Sequence, residues 1–136
     1  MASFLYDSFR EYIADGTIDV DDDTFKVALL SDTHTPSAAH TTFADVSADE
    51  ISGTGYTAGG ATLQNVTWTR SGSVATFSAS DPVWIDATFD AGYAVVYDAT
   101  SANNVLVCMI DFGGNKYVSE GRFTVSLNAD GLFRLV

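Results

Sequence analysis

Short stretches in which apolar and polar residues alternate recur along most of this sequence. Phe25, Val27 and Leu29 show the pattern in its clearest form, and a period of two is typical of β-strands with one buried face. Seven more strand-like runs follow, at residues 61–70, 74–78, 83–85, 93–98, 105–112, 122–127 and 132–136. Eight short strands with turn-rich connections predict an all-β fold, an antiparallel β-sandwich.

The segments between these runs are typical of turns. Ser71-Gly72-Ser73 joins two runs at hairpin length, and Asn128-Ala129-Asp130-Gly131 joins the last two. Residues 93–98 and 105–110 are apolar at nearly every position, so we expect central strands that are covered on both faces. A turn over residues 100–104 is predicted between them.

Only the start of the chain has helical spacing. Its apolar residues predict a short N-terminal helix over residues 4–14, with Ser3 as N-cap and Gly16 at the C-terminal end. No internal repeat divides the chain, and 136 residues suffice to bury about two-thirds of its surface. We therefore expect one domain spanning residues 1–136.

The chain is strongly acidic, with 18 acidic residues against 6 basic ones and a net charge of -12. Lys26, Arg70, Lys116 and Arg122 stand singly, whereas phosphate-binding surfaces need clustered bases, so no direct nucleic-acid binding is expected. No run approaches the roughly 20 apolar residues of a membrane span, and the start lacks a secretion signal. We expect a soluble protein, made in the cytoplasm, that binds a basic partner surface.

The sequence contains no convincing set of catalytic residues. Cys108 is the only cysteine, and its apolar strand predicts a buried thiol rather than a nucleophile. No G-x-S-x-G motif is present. A hydrolase that uses a pair of aspartates is a third hypothesis, but aspartates are so abundant here that some pair is bound to approach another.

The long connection at residues 31–60 contains the candidate contact residues. It is rich in Ser, Thr, Asp and Gly, which predicts an exposed loop with a helical turn near 43–46. His34 and His40 lie there together with Asp32 and Asp45, so a zinc site is an alternative to solvated histidines. Residues 53–58 fit G-x-G-x-x-A but precede a strand, so we expect a tight turn that presents Tyr56 and no dinucleotide cofactor.

Two further patterns leave alternatives open. The acidic segment Asp19–Asp23 resembles half of a calcium loop, but Thr24 and Leu30 occupy the positions where an EF-hand needs Gly and Glu. A looser calcium site is therefore weighed against a solvated turn. Trp68 and Trp84, with Tyr56, would form a sugar-stacking platform if their rings were exposed.

The order of several short motifs resembles a known class of proteins. Leu5-Tyr6-Asp7 opens the helix, Gly16-Thr17-Ile18-Asp19 precedes the first strand, and Gly55-Tyr56-Thr57-Ala58-Gly59-Gly60 leads into Leu63. This order is similar to that of small acidic virion proteins of tailed bacteriophages, and the resemblance spans nearly the whole chain. The class includes capsid cement, or decoration, proteins with jelly-roll-like β-sandwich folds.

The resemblance implies a non-enzymatic structural role without a cofactor. We expect the chain to bind and stabilise a shell of major capsid protein on the outer capsid surface of the virion, as a homo-oligomeric dimer or trimer. Candidate contact residues are Tyr56, Thr57, His34 and His40. The alternative function is that of a carbohydrate-binding β-sandwich displayed on a virion.

Overall fold

The computed structural model of the protein describes residues 4–127 and the backbone of residues 133–135. The described residues form eight strands, one α-helix and two 3₁₀ turns. The strands are β1 (Phe4–Leu5), β2 (Phe25–Leu30), β3 (Ala61–Thr62), β4 (Thr67–Ser71), β5 (Val74–Ser78), β6 (Val83–Asp98), β7 (Leu106–Thr124) and β8 (Phe133–Leu135), with helix α1 at Asp7–Asp15 and 3₁₀ turns at Phe43–Asp45 and Ser47–Asp49.

The strands form two antiparallel sheets. A five-stranded sheet has the order β1-β7-β6-β2-β3, and a three-stranded sheet has the order β4-β5-β8. The larger hydrophobic core includes Phe25 and Phe89 from the first sheet, Phe77 from the second and Phe9 from the helix. The predicted all-β sandwich with a short N-terminal helix is confirmed, and the finer jelly-roll connectivity stays a prediction.

The helix begins later than its spacing predicts. Phe4 and Leu5 pair with Met109 and Cys108 as strand β1, and the helix starts at Asp7. The extended pairing is favoured because it gives the edge of β7 a backbone partner. Ser3 lies outside the described residues, while Gly16 ends the helix in the left-handed conformation (φ 87°), as predicted.

Four of the predicted strands are halves of two long ones. The runs at 83–85 and 93–98 are parts of β6, which spans 16 residues, and the runs at 105–112 and 122–127 fall largely in β7, which spans 19. In each long strand a polar or glycine-containing segment joins the two halves, and these segments of β6 and β7 pair with each other. Register shifts between the strands accommodate the residues that do not follow the alternation. The separate short strands predicted there are therefore wrong, and the turn that joins the two long strands is where it was expected.

The predicted strand at residues 61–70 is also wrong as one element. Asn65 adopts a positive φ of 54° and lies between β3, in the larger sheet, and β4, in the smaller one. The hairpin at Ser71–Ser73 is confirmed, because Ser71 pairs with Val74. The predicted turn at residues 128–131 lies outside the described residues.

Residues 31–60 cover the second face of the five-stranded sheet. Val46, in the loop, is fully buried in a cluster with Val95 and Leu106 from the central strands. The expectation of a simply exposed loop is thus wrong, although the predicted helical turn is present at Phe43–Asp45. Because both faces are covered, the centre of the sheet lies in the interior, and Cys108 is buried as predicted.

Candidate functional site

The most exposed large apolar side chains of the described residues lie on β6 and β7. They are Val83, Ile85 and Tyr117, which are 41%, 61% and 68% exposed. Trp84 is buried between Val83 and Ile85, so these two point to the opposite face of the sheet. Tyr117 pairs with Asp90 and points to the same outer face, because the neighbouring pair, Phe89 and Val118, faces the core.

Two basic residues lie on β7 near these apolar side chains, one on each face of the strand. Lys116 pairs with the core residue Ala91, whereas Arg122 precedes the core residue Phe123 and so points to the outer face. Lys116 and Arg122 line an open cavity of about 430 Å³ on β7, with Phe112, Tyr117 and Phe123 among its other walls. They are two of the chain's six basic residues. Within the described part of the chain, no acidic side chain forms an ion pair with either of them. We call Val83, Ile85, Tyr117 and Arg122, together with Lys116 at the adjoining edge of β7, the hairpin face.

The edge of β7 beside the hairpin face carries no neighbouring strand in the described residues. Strand β1 pairs only with Cys108 and Met109, so β7 extends past it from Ile110 to Thr124 with β6 on one side. Unpaired backbone donors and acceptors on a strand edge are a template for association with another chain. As far as the described residues show, the hairpin face therefore combines exposed apolar area, positive charge without an acidic partner and a strand edge without a neighbouring strand.

The structure brings His34 and His40 together, as the zinc alternative requires. Their ring centres are 5.9 Å apart, and Nδ1 of His34 lies 2.6 Å from Oδ2 of Asp49. Asp45 is used elsewhere, because its Oδ2 accepts the backbone N–H groups of Thr41 and Thr42. These two bonds, that of Thr41 first, lower the pKa of Asp45.

Tyr56 serves the chain's own packing. Its hydroxyl accepts the N–H of Leu29 at 3.0 Å and donates to Oε2 of Glu50 at 2.5 Å. Burial, and next the hydrogen bond to Glu50, raise the pKa of Tyr56. Glu50 also accepts the N–H of Gly59, so the glycine turn is fastened to the sheet. Thr57, in the same turn, is exposed.

The acidic turn and the sheet form one pair of carboxyl groups. The Asp23 carboxyl lies against Asp98, which has no exposed surface and whose Oδ1 accepts the N–H groups of Thr100 and Ser101. Oδ2 receives no donor. Burial, with the adjoining Asp23 next, raises the pKa of Asp98 to about 7. Because no substrate reaches a fully buried carboxyl, this pair does not support the hydrolase hypothesis.

The structure bears on the predicted metal sites and on the predicted sugar-stacking platform. No group of three or more His, Cys, Asp or Glu side chains is arranged to hold a metal ion within residues 4–127. A zinc site of two imidazoles and a carboxylate is therefore not formed among these residues. In the acidic turn, Oδ1 of Asp19 accepts the N–H of Asp21 and of Asp22. Trp84 is 6% exposed, which removes one indole from the sugar platform, whereas Trp68 is half-buried.

Comparison with protein-family models, curated protein sequences and solved structures found no match to this chain. The part of the chain that the structure describes contains no helix long and apolar enough to cross a membrane.

Sequence reasoning missed the hairpin face because it treated residues 83–85 only as a short strand and assigned no face to Val83 and Ile85. The signal in the sequence was the alternation itself. Successive side chains of a strand point to opposite faces, so if Trp84 faces the core, its two neighbours face away from it.

Proposed function

We propose that this protein is a non-enzymatic structural component of a tailed-phage virion, a decoration protein that binds the outside of a shell of major capsid protein. The proposal combines the motif order of the chain with one structural observation. That observation is the hairpin face, where exposed apolar side chains of an acidic protein lie near Arg122 and, at the strand edge, Lys116, neither of which has an acidic partner among the described residues. Aromatic and arginine side chains at the centre of a patch are typical of protein interfaces.

The distribution of charge supports a single orientation on the shell. The protein has a net charge of -12, so an acidic partner surface repels most of it. The hairpin face, which carries two basic residues, is the part that such a surface would accept. Arg122 on this face and Lys116 at the strand edge would pair with carboxylates on the partner, while Ile85 and Tyr117 bury apolar area. The shell surface that accepts this face would thus be apolar and locally acidic, whereas the net charge alone predicts a basic partner surface.

Repetition on the shell accounts for stabilisation by individually modest contacts. A protein bound at every equivalent site of an icosahedral shell adds its interface energy many times over. If each copy, or each dimer or trimer, spans the border between two capsid subunits, rupture of the shell must break those contacts. Such a role needs no catalytic residue and no cofactor.

The test is rebinding of the purified protein to shells that lack it. We expect deficient shells to lose heat resistance, and added wild-type protein to restore it at a fixed number of copies per shell. Ile85→Ser and Tyr117→Ala should each weaken rebinding about tenfold or more, as loss of a central interface residue does. The control is Thr57→Ala, an exposed residue of the other candidate surface, which should rebind like wild type.

Two results would overturn the proposal. The first is deficient shells that keep their heat resistance and recruit no added protein. The second is normal rebinding of both hairpin-face variants together with weak rebinding of Thr57→Ala, which would transfer the contact to the loop at residues 31–60.

The exposed ring of Tyr117 beside Lys116 and Arg122 also favours a second candidate, carbohydrate binding, because an open aromatic ring is a stacking surface for a sugar. This candidate predicts saturable binding to one class of glycan in a glycan panel, lost in Tyr117→Ala. A decoration protein shows no such saturation.

A further inference from the structure

We propose that His34 and His40 form a two-imidazole binding site for a divalent transition metal ion, with Zn²⁺ as the committed ion, and that Asp49 orients the site. The site lies in residues 31–60, away from the hairpin face, and stands independently of the proposed function. It would hold the metal through two protein nitrogens, with water or another external ligand completing the coordination.

The hydrogen bond to Asp49 fixes the tautomer of His34. Nδ1 of His34 lies 2.6 Å from Oδ2 of Asp49, and a carboxylate accepts hydrogen bonds, so the ring proton resides on Nδ1. In the neutral imidazole, Nε2 then carries a lone pair that can bind a metal. Metal-binding histidines typically donate their second ring N–H to a carboxylate in this way, which orients the ring and raises its basicity.

The two free ring nitrogens are buried and have no partner. Nε2 of His34 and Nδ1 of His40 are both shielded from solvent and receive no hydrogen bond from the described residues. The His34 side chain is only 2% exposed. Buried polar atoms nearly always have a partner, so two nitrogens without one on neighbouring rings are the observation that points to a bound ligand.

The spacing of the rings suits a shared metal ion. Zn–N bonds of about 2.0–2.1 Å place the centres of two imidazoles on one ion about 5–6.5 Å apart. The centres of His34 and His40 are 5.9 Å apart with an angle of 44° between the ring planes. The edge-on ring of Tyr93, centred 5.9 Å from that of His34, closes one side of the site.

The choice of metal follows from the donors. Imidazole suits Zn²⁺, Cu²⁺ and Ni²⁺, whereas Ca²⁺ and Mg²⁺ prefer oxygen ligands. Because the described residues supply no third ligand, binding is weaker than at a closed site with four protein ligands. A metal bound here would join two parts of the loop at residues 31–60 and so stabilise its packing on the sheet.

The experiment is a calorimetric titration of the untagged, chelator-treated chain with Zn²⁺. We expect one Zn²⁺ per chain and a rise in melting temperature of about 3 °C or more at saturation. His34→Gln and His40→Gln should each weaken binding at least tenfold. Asp49→Asn should weaken it about 10-fold to 100-fold, the effect typical of a residue that orients a metal ligand.

The matched control is Asp86→Asn, the same change of acid to amide at an exposed position of β6, outside this loop, which should bind Zn²⁺ like wild type. If His34→Gln does not fold, His40→Gln decides the question, because His40 is only half-buried. No Zn²⁺ binding by the wild-type chain, or equal binding by wild type and His40→Gln, overturns the proposal. Equal weakening in Asp86→Asn overturns it too, because it assigns the binding to general negative charge.

Discussion

Replacing Asp98 by Asn should stabilise this protein at neutral pH and change its stability little in acid. The folded chain holds the Asp98 proton up to about pH 7, whereas the ordinary pKa of an aspartate is 3.8. Between these two values the folded state binds more protons than the unfolded state, so the free energy of unfolding falls as pH rises. Asn carries no charge to bury and retains an oxygen for the N–H groups of Thr100 and Ser101.

The magnitude follows from the size of the shift. Each unit of pKa corresponds to about 1.4 kcal/mol, so the shift from 3.8 to about 7 sets an upper bound of about 4 kcal/mol on the cost of ionising Asp98. Structural relaxation around the Asp98 and Asp23 carboxyl groups reduces this cost. We expect Asp98→Asn to gain about 1–3 kcal/mol at pH 8 and less than about 0.5 kcal/mol at pH 4.

The assay is urea unfolding of wild type and Asp98→Asn at half-unit steps from pH 4 to pH 8. Asp22→Asn, an exposed carboxylate in the adjoining turn, is the control for the loss of one negative charge from an acidic chain. The wild type and the control should lose stability over this range, and Asp98→Asn should lose less. Identical slopes in all three proteins, or a less stable Asp98→Asn at pH 8, would refute the reasoning.

Three further predictions concern stability and reactivity. Gly60→Ala should destabilise the fold by about 3 kcal/mol or more in urea unfolding, because its Cβ would lie 2.0 Å from the carbonyl oxygen of Val27. The control Gly72→Ala, with open space around it, should cost about 1 kcal/mol. Equal losses of stability in the two variants would contradict this prediction. Tyr56→Phe removes two internal hydrogen bonds and should cost about 1–3 kcal/mol by the same assay, and an unchanged stability would show that the bonds are not formed. Burial raises the pKa of the Cys108 thiol to about 12, so a thiol reagent should label native protein far more slowly than denatured protein, and rapid native labelling would contradict its burial.

Features set by neighbouring residues could be predicted from the sequence. Gly16 ends the helix, the turn at Phe43–Asp45 forms, and Cys108 is buried within an apolar run. Each of these depends on a few adjacent side chains and on backbone preferences that act locally. The all-β class follows from the same local periodicity.

Features set by pairing across the chain could not be predicted. Gly113 and Gly114 have positive φ angles and break the periodicity of β7, so its two halves look like separate strands. Only the register with β6 restores continuity. Likewise, nothing local indicates that His34 contacts Asp49, which lies 15 residues away, or that Asp98 meets Asp23.

The continuity of β6 and β7 determines the order in which the protein can fold. All their pairs form across the one connection at residues 99–105, so closing this hairpin costs little chain entropy. Strand β2 must instead bring Phe25 to Asp98, and residues 31–60 need a finished sheet to pack against. We therefore expect the long hairpin to form the folding nucleus and the loop to dock last. The contact between His34 and His40 then belongs to the final step of folding and, by the same reasoning, is among the first to open.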